Sequence, residues 1–333
     1  MPLLDTEIIW RPALLQSSSV PAQNGGRMAH STLVSGVKNN LFPDVSQTER
    51  SNGALHWRKA FIHLNSAADT ALLNARVFLD ALTPAGDFVT FTPGTTTDTE
   101  DQISERDYGI GTLFSPAAIG ASQIQVACEH PASYATLEPF RVGDLVRVAN
   151  RPSTGSAGEE EWVTLTGVVY GVDAATLDFT PALSNAYAAA DTLVSSVLQV
   201  ASTLAACSTP AVTSSAGTLD AEQIIAHNKG AIEQSWTLNF SSTTQFTLTG
   251  NTIGTLAGGG VISADFAPLN PATGTPYFTL KSLAWSGEFQ AGDTVTFETN
   301  PAVIPIWYRR QIPAGTASLA NDFASLAVQG ESA

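Results

Sequence analysis

The stretch from Ile124 to Leu183 constrains this chain most, because its apolar residues recur with a period of two. Leu145, Arg147 and Ala149 point one way and Val146 and Val148 the other, the pattern of a strand rather than a helix. Ile124-Gln125-Val126, Trp162 to Tyr170 and Thr176 to Leu183 read the same way, with turn-rich breaks between them. Gly143-Asp144 suits a tight turn ahead of its strand, since glycine tolerates positive φ and an Asp carboxylate bonds nearby backbone. Four strands of this size predict a small β-barrel-like module over residues 120–196.

The flanking chain carries the same signal. Trp57 to Leu64, Asn74 to Asp80 and Asp87 to Phe91 read as strands of a β-sandwich part over 41–119, joined by short Asn-, Asp-, Pro- and Gly-containing connections. Ser46 to Gly53 reads as a polar break. A helix is the alternative over Asp69 to Leu82, but Val77, Phe78 and the following Thr83-Pro84 favour a strand. Trp236 to Phe240 and Gln245 to Thr249 alternate within a second sandwich part over 236–313. There, Phe289-Gln290-Ala291-Gly292-Asp293-Thr294-Val295 repeats the Phe-x-x-Gly-Asp-x-Val of residues 140–146, an echo short enough to come from turn chemistry alone. Residues 197–235 read as a linker with one short helix from Asp220 to His227, capped by Thr218 or Asp220. Residues 1–40 form an N-terminal arm, whose apolar Ile8-Ile9-Trp10 is cut off by Pro12, and 314–333 an extended tail. The predicted fold is mainly β, with sandwich-type domains, a small central barrel and very little helix.

The formal net charge is −15, yet only 14% of residues are charged, against about 25% in an average protein. No cluster of lysine and arginine is present to displace counterions along a nucleic-acid backbone. A negative wall still suits DNA that slides past, because repulsion prevents adhesion. Acids concentrate in a loop over 93–119, where Asp98, Glu100, Asp101, Glu105 and Asp107 are opposed only by Arg106. The run lacks the oxygen-ligand spacing around a turn glycine that calcium requires, so it reads as a solvated or cavity-lining loop. Cys128 and His130 share one strand face without a third or fourth metal ligand, and Cys128 with Cys207 gives no disulfide framework, although one bridge between them stays open. Glu159 to Glu161 are neighbours at a turn, not a pair across a cleft. Phosphate-loop, paired-histidine zinc and nucleophile-elbow motifs are missing. No catalytic residue, cofactor or metal is therefore expected. No apolar run reaches membrane-spanning length, and the N-terminus does not read as a secretory signal. Trp307-Tyr308-Arg309-Arg310 combines residue types enriched at interface hot spots and is a candidate subunit contact.

Three places resemble virion structural proteins of tailed bacteriophages. They are Leu41 to Arg50 leading into Trp57 to Asn65 and Ala75 to Leu79; the Phe-x-x-Gly-Asp-x-Val-x-Val module with its Thr-Leu-x-Phe-x-Pro-x-Leu closing strand; and Ile304 to Arg310. The resemblance implies a non-enzymatic subunit of the virion, assembled in the host cytoplasm, that forms rings with itself and meets other tail proteins. Its place would be the tail tube, with the distal baseplate as alternative, and DNA would pass through without being bound. Tube subunits usually carry a long ring-joining loop, a part for which 93–119 is the candidate. A conduit would turn the loop acids toward its lumen and place basic residues such as Arg58, Lys59, Arg309 and Arg310, with Trp307 and Tyr308, at subunit contacts. A surface decoration or receptor-binding module is the reading from a different class.

Overall fold

The computed structural model describes residues 2–128, 131–150 and 158–333, and it is mainly β. The four strands expected in the middle of the chain are present as Gln123–Ala127, Leu145–Asn150, Glu160–Tyr170 and Ala174–Thr180. Four strands alone would leave two open edges. Ile110–Leu113 and Thr192–Ser196 pair with each other and with Gln123–Ala127 and Leu145–Asn150, closing a six-stranded barrel. The alternation sends Ile124, Val126, Val146, Val148, Leu165 and Leu177 into its core. The acidic loop is correspondingly shorter than 93–119: it spans 94–109, and the barrel begins inside its expected second half.

A two-layer sandwich forms the base of the molecule. One layer has the strand order Gly25–Met28, Ile8–Leu15, Ala54–Leu64, Val303–Ile312, Phe88–Pro93; the other has Leu198–Thr203, Leu72–Ala81, Ser325–Ser332. Ile62, Leu64, Val77, Leu79, Phe91 and Ile306 meet between them. The barrel is inserted between Phe88–Pro93 and Leu198–Thr203. A second insertion follows Leu198–Thr203, built on a sheet of Thr294–Asn300, Gln234–Phe240 and Gln245–Gly250 with shorter strands at its margins. Its core is aromatic, with Trp236, Phe246, Phe278, Phe289 and Phe297 buried together.

This nesting corrects several expectations. Val303–Ile312 leaves the second sandwich part and lies beside Ala54–Leu64, with Ile304 opposite Ile62 and Tyr308 opposite Arg58. The N-terminal arm contributes Ile8–Leu15 to the same layer, and Pro12 remains in that strand, its carbonyl accepting the Ala29 N–H at 2.9 Å. The tail supplies Ser325–Ser332, paired with Leu72–Ala81. Open sheet flanks recruit both ends, a demand that reading the ends in isolation does not register. The helix expected over Asp220 to His227 is absent. Asp220 caps only the 3-10 turn Ala221–Gln223, and Ile224–Ala226 then pairs with Phe278–Leu280, as suits adjacent β-branched residues on a pleated surface. The polar break at Ser46 to Gly53 contains the helix Gln47–Asn52. Ser46 Oγ accepts the Glu49 N–H at 3.2 Å and the Glu49 carboxylate accepts the Ser46 N–H at 2.7 Å, a reciprocal cap that starts it. Both cysteines are free thiols.

Candidate functional site

The acidic loop is seated against Val303–Ile312, an inner strand of its layer, so the two groups picked out in the sequence meet. Alternation places Trp57, Lys59 and Phe61 on one face of Ala54–Leu64, and Lys59 lies directly opposite Trp307 across the pair. A lysine on a face shared with aromatics needs a carboxylate if it is buried. Asp98 supplies it. Lys59 Nζ donates to Asp98 Oδ1 at 2.6 Å, to the Asp98 carbonyl at 3.0 Å and to the Gly26 carbonyl at 2.8 Å, and its side chain is 0% exposed. Burial lowers the Lys59 ammonium pKa, with the bond to Asp98 acting against that shift. Trp307 Nε1 donates to Asp98 Oδ2 at 2.7 Å, and the Thr95 N–H donates to Oδ1 at 3.0 Å. A Cβ at Gly25 would lie 2.4 Å from the Trp307 ring, so this approach requires glycine.

The remaining loop acids divide by environment. Asp101 and Glu105 are exposed. Glu100 accepts Asn24 Nδ2 at 2.8 Å. Asp107 accepts the Thr90 hydroxyl at 2.5 Å, and burial raises its carboxyl pKa. Arg106 makes a two-point ion pair with Asp144 and lies 4.3 Å over the Tyr108 ring, tying the loop to the barrel. Asp98 and Asp107 are therefore drawn inward by partners of their own chain, and Asp101 and Glu105 face solvent.

The expected contact residues are also turned inward. Trp307 is 0% exposed beneath the loop, and Tyr308 is buried in the sandwich core on the opposite face. Arg310 pairs with Asp87 and Asp322, and Arg309 donates to Gln311 at 2.9 Å. Both faces of Val303–Ile312 are covered within the chain, which is why these side chains serve its own packing. Arg310, Asp87 and Asp322 line a cleft of about 920 Å³ between residues 33–45 and 316–326.

Charge is exposed unevenly among the described residues. Arg11, Arg58, Lys59 and Arg147 are buried, and among the described residues the exposed lysines and arginines are Lys38 and Arg141. Exposed carboxylates include Asp101, Glu105, Glu159, Asp173, Glu222 and Glu288. Arg147 illustrates the use of the cations: it bonds Asp80 at 3.0 Å and Glu160 at 2.6 Å and lies over Phe78, fastening the barrel to the base. Arg58 and Lys59, expected at subunit contacts, are buried instead, because Lys59 shares its strand face with Trp57 and Phe61 beneath the loop; sequence reasoning passed over Asp144 and Arg147 as hubs.

Among the described residues, no group of three or more His, Cys, Asp or Glu is placed to hold a metal ion, and His130 of the Cys128–His130 hint lies outside them. Burial pushes the Cys128 and Cys207 thiols up to about 12, so both are protonated at neutral pH. The fold and this seat define a three-part nested β protein whose exposed carboxylates outnumber its exposed cations among the described residues. No protein-family model, curated protein or solved structure matches this chain.

Proposed function

We propose that this chain is a non-enzymatic structural subunit of a tailed-phage virion, a tail protein that assembles into rings around a DNA conduit. The observation that carries the reading is the uneven exposure of charge: Arg11 and Arg58 are buried and Lys59, Arg106, Arg147 and Arg310 are turned into ion pairs within the chain, leaving Asp101, Glu105 and other carboxylates on a surface with few exposed cations. Such a surface repels DNA and lets it pass. A wall charge acts on DNA only within about one Debye length, roughly 8 Å at physiological salt, so the loop acids would matter only at the lumen. Like-charged subunits also repel each other, so salt or divalent ions favour assembly.

Electron microscopy and mass measurement of purified protein across a salt series test this. Rings or tubes with Asp101 and Glu105 at the lumen, more abundant at higher salt, are the expected outcome. A monomer at all salt concentrations, or a neutral or basic lumen, overturns it. A baseplate ring lacking such a lumen is the nearer alternative. The decoration or receptor-binding reading draws on the threonine-rich outer face of the second insertion, where Thr255, Thr249, Thr237 and Thr296 align across the sheet. Glycan affinity in a persistent monomer would favour it.

A further inference from the structure

We propose that Lys59 and Asp98 become joined by an intramolecular isopeptide bond that the folded chain forms on itself. The inference does not rest on the assembly proposed above. Nζ and Oδ1 stand 2.6 Å apart in a site where the lysine side chain is fully buried. The Phe61 and Trp307 rings wall it, with Nζ 4.9 Å and 5.6 Å from their centroids. Each carboxyl oxygen is held by an N–H: Thr95 on Oδ1 and the Trp307 indole on Oδ2. Amine and carboxyl are thus fixed as an intramolecular pair, the condition under which effective molarity is very high.

The chemistry balances without a co-reactant. Transfer of one proton from Nζ to Oδ1 converts ammonium and carboxylate to amine and carboxylic acid, two neutral groups that a dry site tolerates better than two ions. Burial already shifts the lysine toward its neutral form. The Nζ lone pair then attacks Cγ, and the C=O π electrons move to Oδ2. There the indole N–H meets the developing negative charge, as an oxyanion-hole donor does. A second Nζ proton passes to the Oδ1 hydroxyl, which leaves as water while the carbonyl re-forms on Oδ2. One C–N bond is made, one C–O bond is broken, and amine plus acid become amide plus water. The product staples the acidic loop to the middle of the base sandwich.

The same contacts also satisfy an unreacted ammonium, which has three protons and here three acceptors. Intact-mass measurement of the denatured full chain separates the two. The expected result is a mass lower than the sequence mass by one water, with proteolysis releasing a branched peptide that carries Lys59 and Asp98. Lys59→Arg and Asp98→Ala should each restore the full sequence mass. Trp307→Phe keeps the ring but loses the N–H, and should leave unreacted chain that the natural protein lacks. Wild-type protein at full sequence mass overturns the proposal whether or not the variants fold. A fully reacted Trp307→Phe chain overturns the indole's role.

Discussion

Phe140 to Asp144 at the barrel and Phe289 to Asp293 in the second insertion are one turn built twice, and comparing them separates local from tertiary causes. In both, the glycine has positive φ, +91° at Gly143 and +96° at Gly292. In both, the Asp N–H donates back three residues, to Arg141 at 3.0 Å and to Gln290 at 3.1 Å. The Asp carboxylate takes that same residue's N–H, at 2.7 Å and 2.8 Å. The partners beyond the turn differ. Asp144 also holds the Arg106 guanidinium of the acidic loop, whereas Asp293 accepts the Ser214 hydroxyl at 2.6 Å. Phe140 is buried in a largely aliphatic barrel core, whereas Phe289 stacks on Phe240 with centroids 4.2 Å apart. The five-residue motif dictates the turn; what the turn fastens is decided by chain far away in sequence.

The largest effect should come from truncating the buried rings. Phe140→Ala and Phe289→Ala should each cost about 3–5 kcal/mol in chemical denaturation. Hydrogen exchange should show the loss confined to the barrel for the first and to the second insertion for the second; a loss spread over both would break the comparison.

Acid should separate the two insertions further. His63 links the base to the second insertion: its Nδ1 accepts Arg11 Nε at 3.0 Å and its Nε2 donates to the Asn228 carbonyl at 2.9 Å. Burial, with Arg11 and His30 nearby, holds its pKa at about 4, below the ordinary 6.5. The folded value is the lower one, so the contribution is full above pH 6.5 and is lost as pH falls through about 4. That loss amounts to roughly 3 kcal/mol. Among the described residues the barrel has no histidine. Exchange protection measured between pH 7 and pH 4 should therefore fall first around Asn228, with the barrel following later.

The two aspartates come next. Asp144→Ala strands the mostly buried Arg106 and should cost about 2–3 kcal/mol, while Asp293→Ala removes neutral partners and should cost about 1 kcal/mol. Equal midpoints in urea would deny the ion pair its weight. The smallest effect belongs to the glycines. No atom lies within 4 Å of a Cβ built at Gly143 or Gly292, so an alanine meets only the positive-φ penalty. Both substitutions should cost about 1 kcal/mol and should match each other. Unequal shifts in melting temperature would mean the turns are not equivalent.

These elements also mark what was legible in the sequence. Alternation within single strands gave the barrel's four central members, because period two is a local property of residues such as Val146 and Val148. It could not give Ile110–Leu113 and Thr192–Ser196, which are short and become strands only by closing the sheet. Val303–Ile312 was placed in the second sandwich part and not beside Ala54–Leu64, since pairing across two insertions leaves no local trace. The Ser46-x-x-Glu49 cap was written in the sequence and overlooked. For the site, the acids of 94–109 and Trp307 were singled out separately. Their meeting at Lys59 was hidden because side-chain burial depends on the loop folding back over the sheet.

The nested topology has a consequence for synthesis on the ribosome. Ala54–Leu64 is made early, but its partner Val303–Ile312 is made only after both insertions. At roughly 5–20 residues per second that is a wait of roughly 10–50 s, during which the barrel has time to fold. The base sheet meanwhile presents the edge of a strand carrying Trp57, Phe61 and Ile62, the kind of exposed edge that pairs with other nascent chains. Holding that edge apart until Val303–Ile312 emerges is a task for the cell's chaperones, and a higher translation rate over residues 110–300 would shorten it.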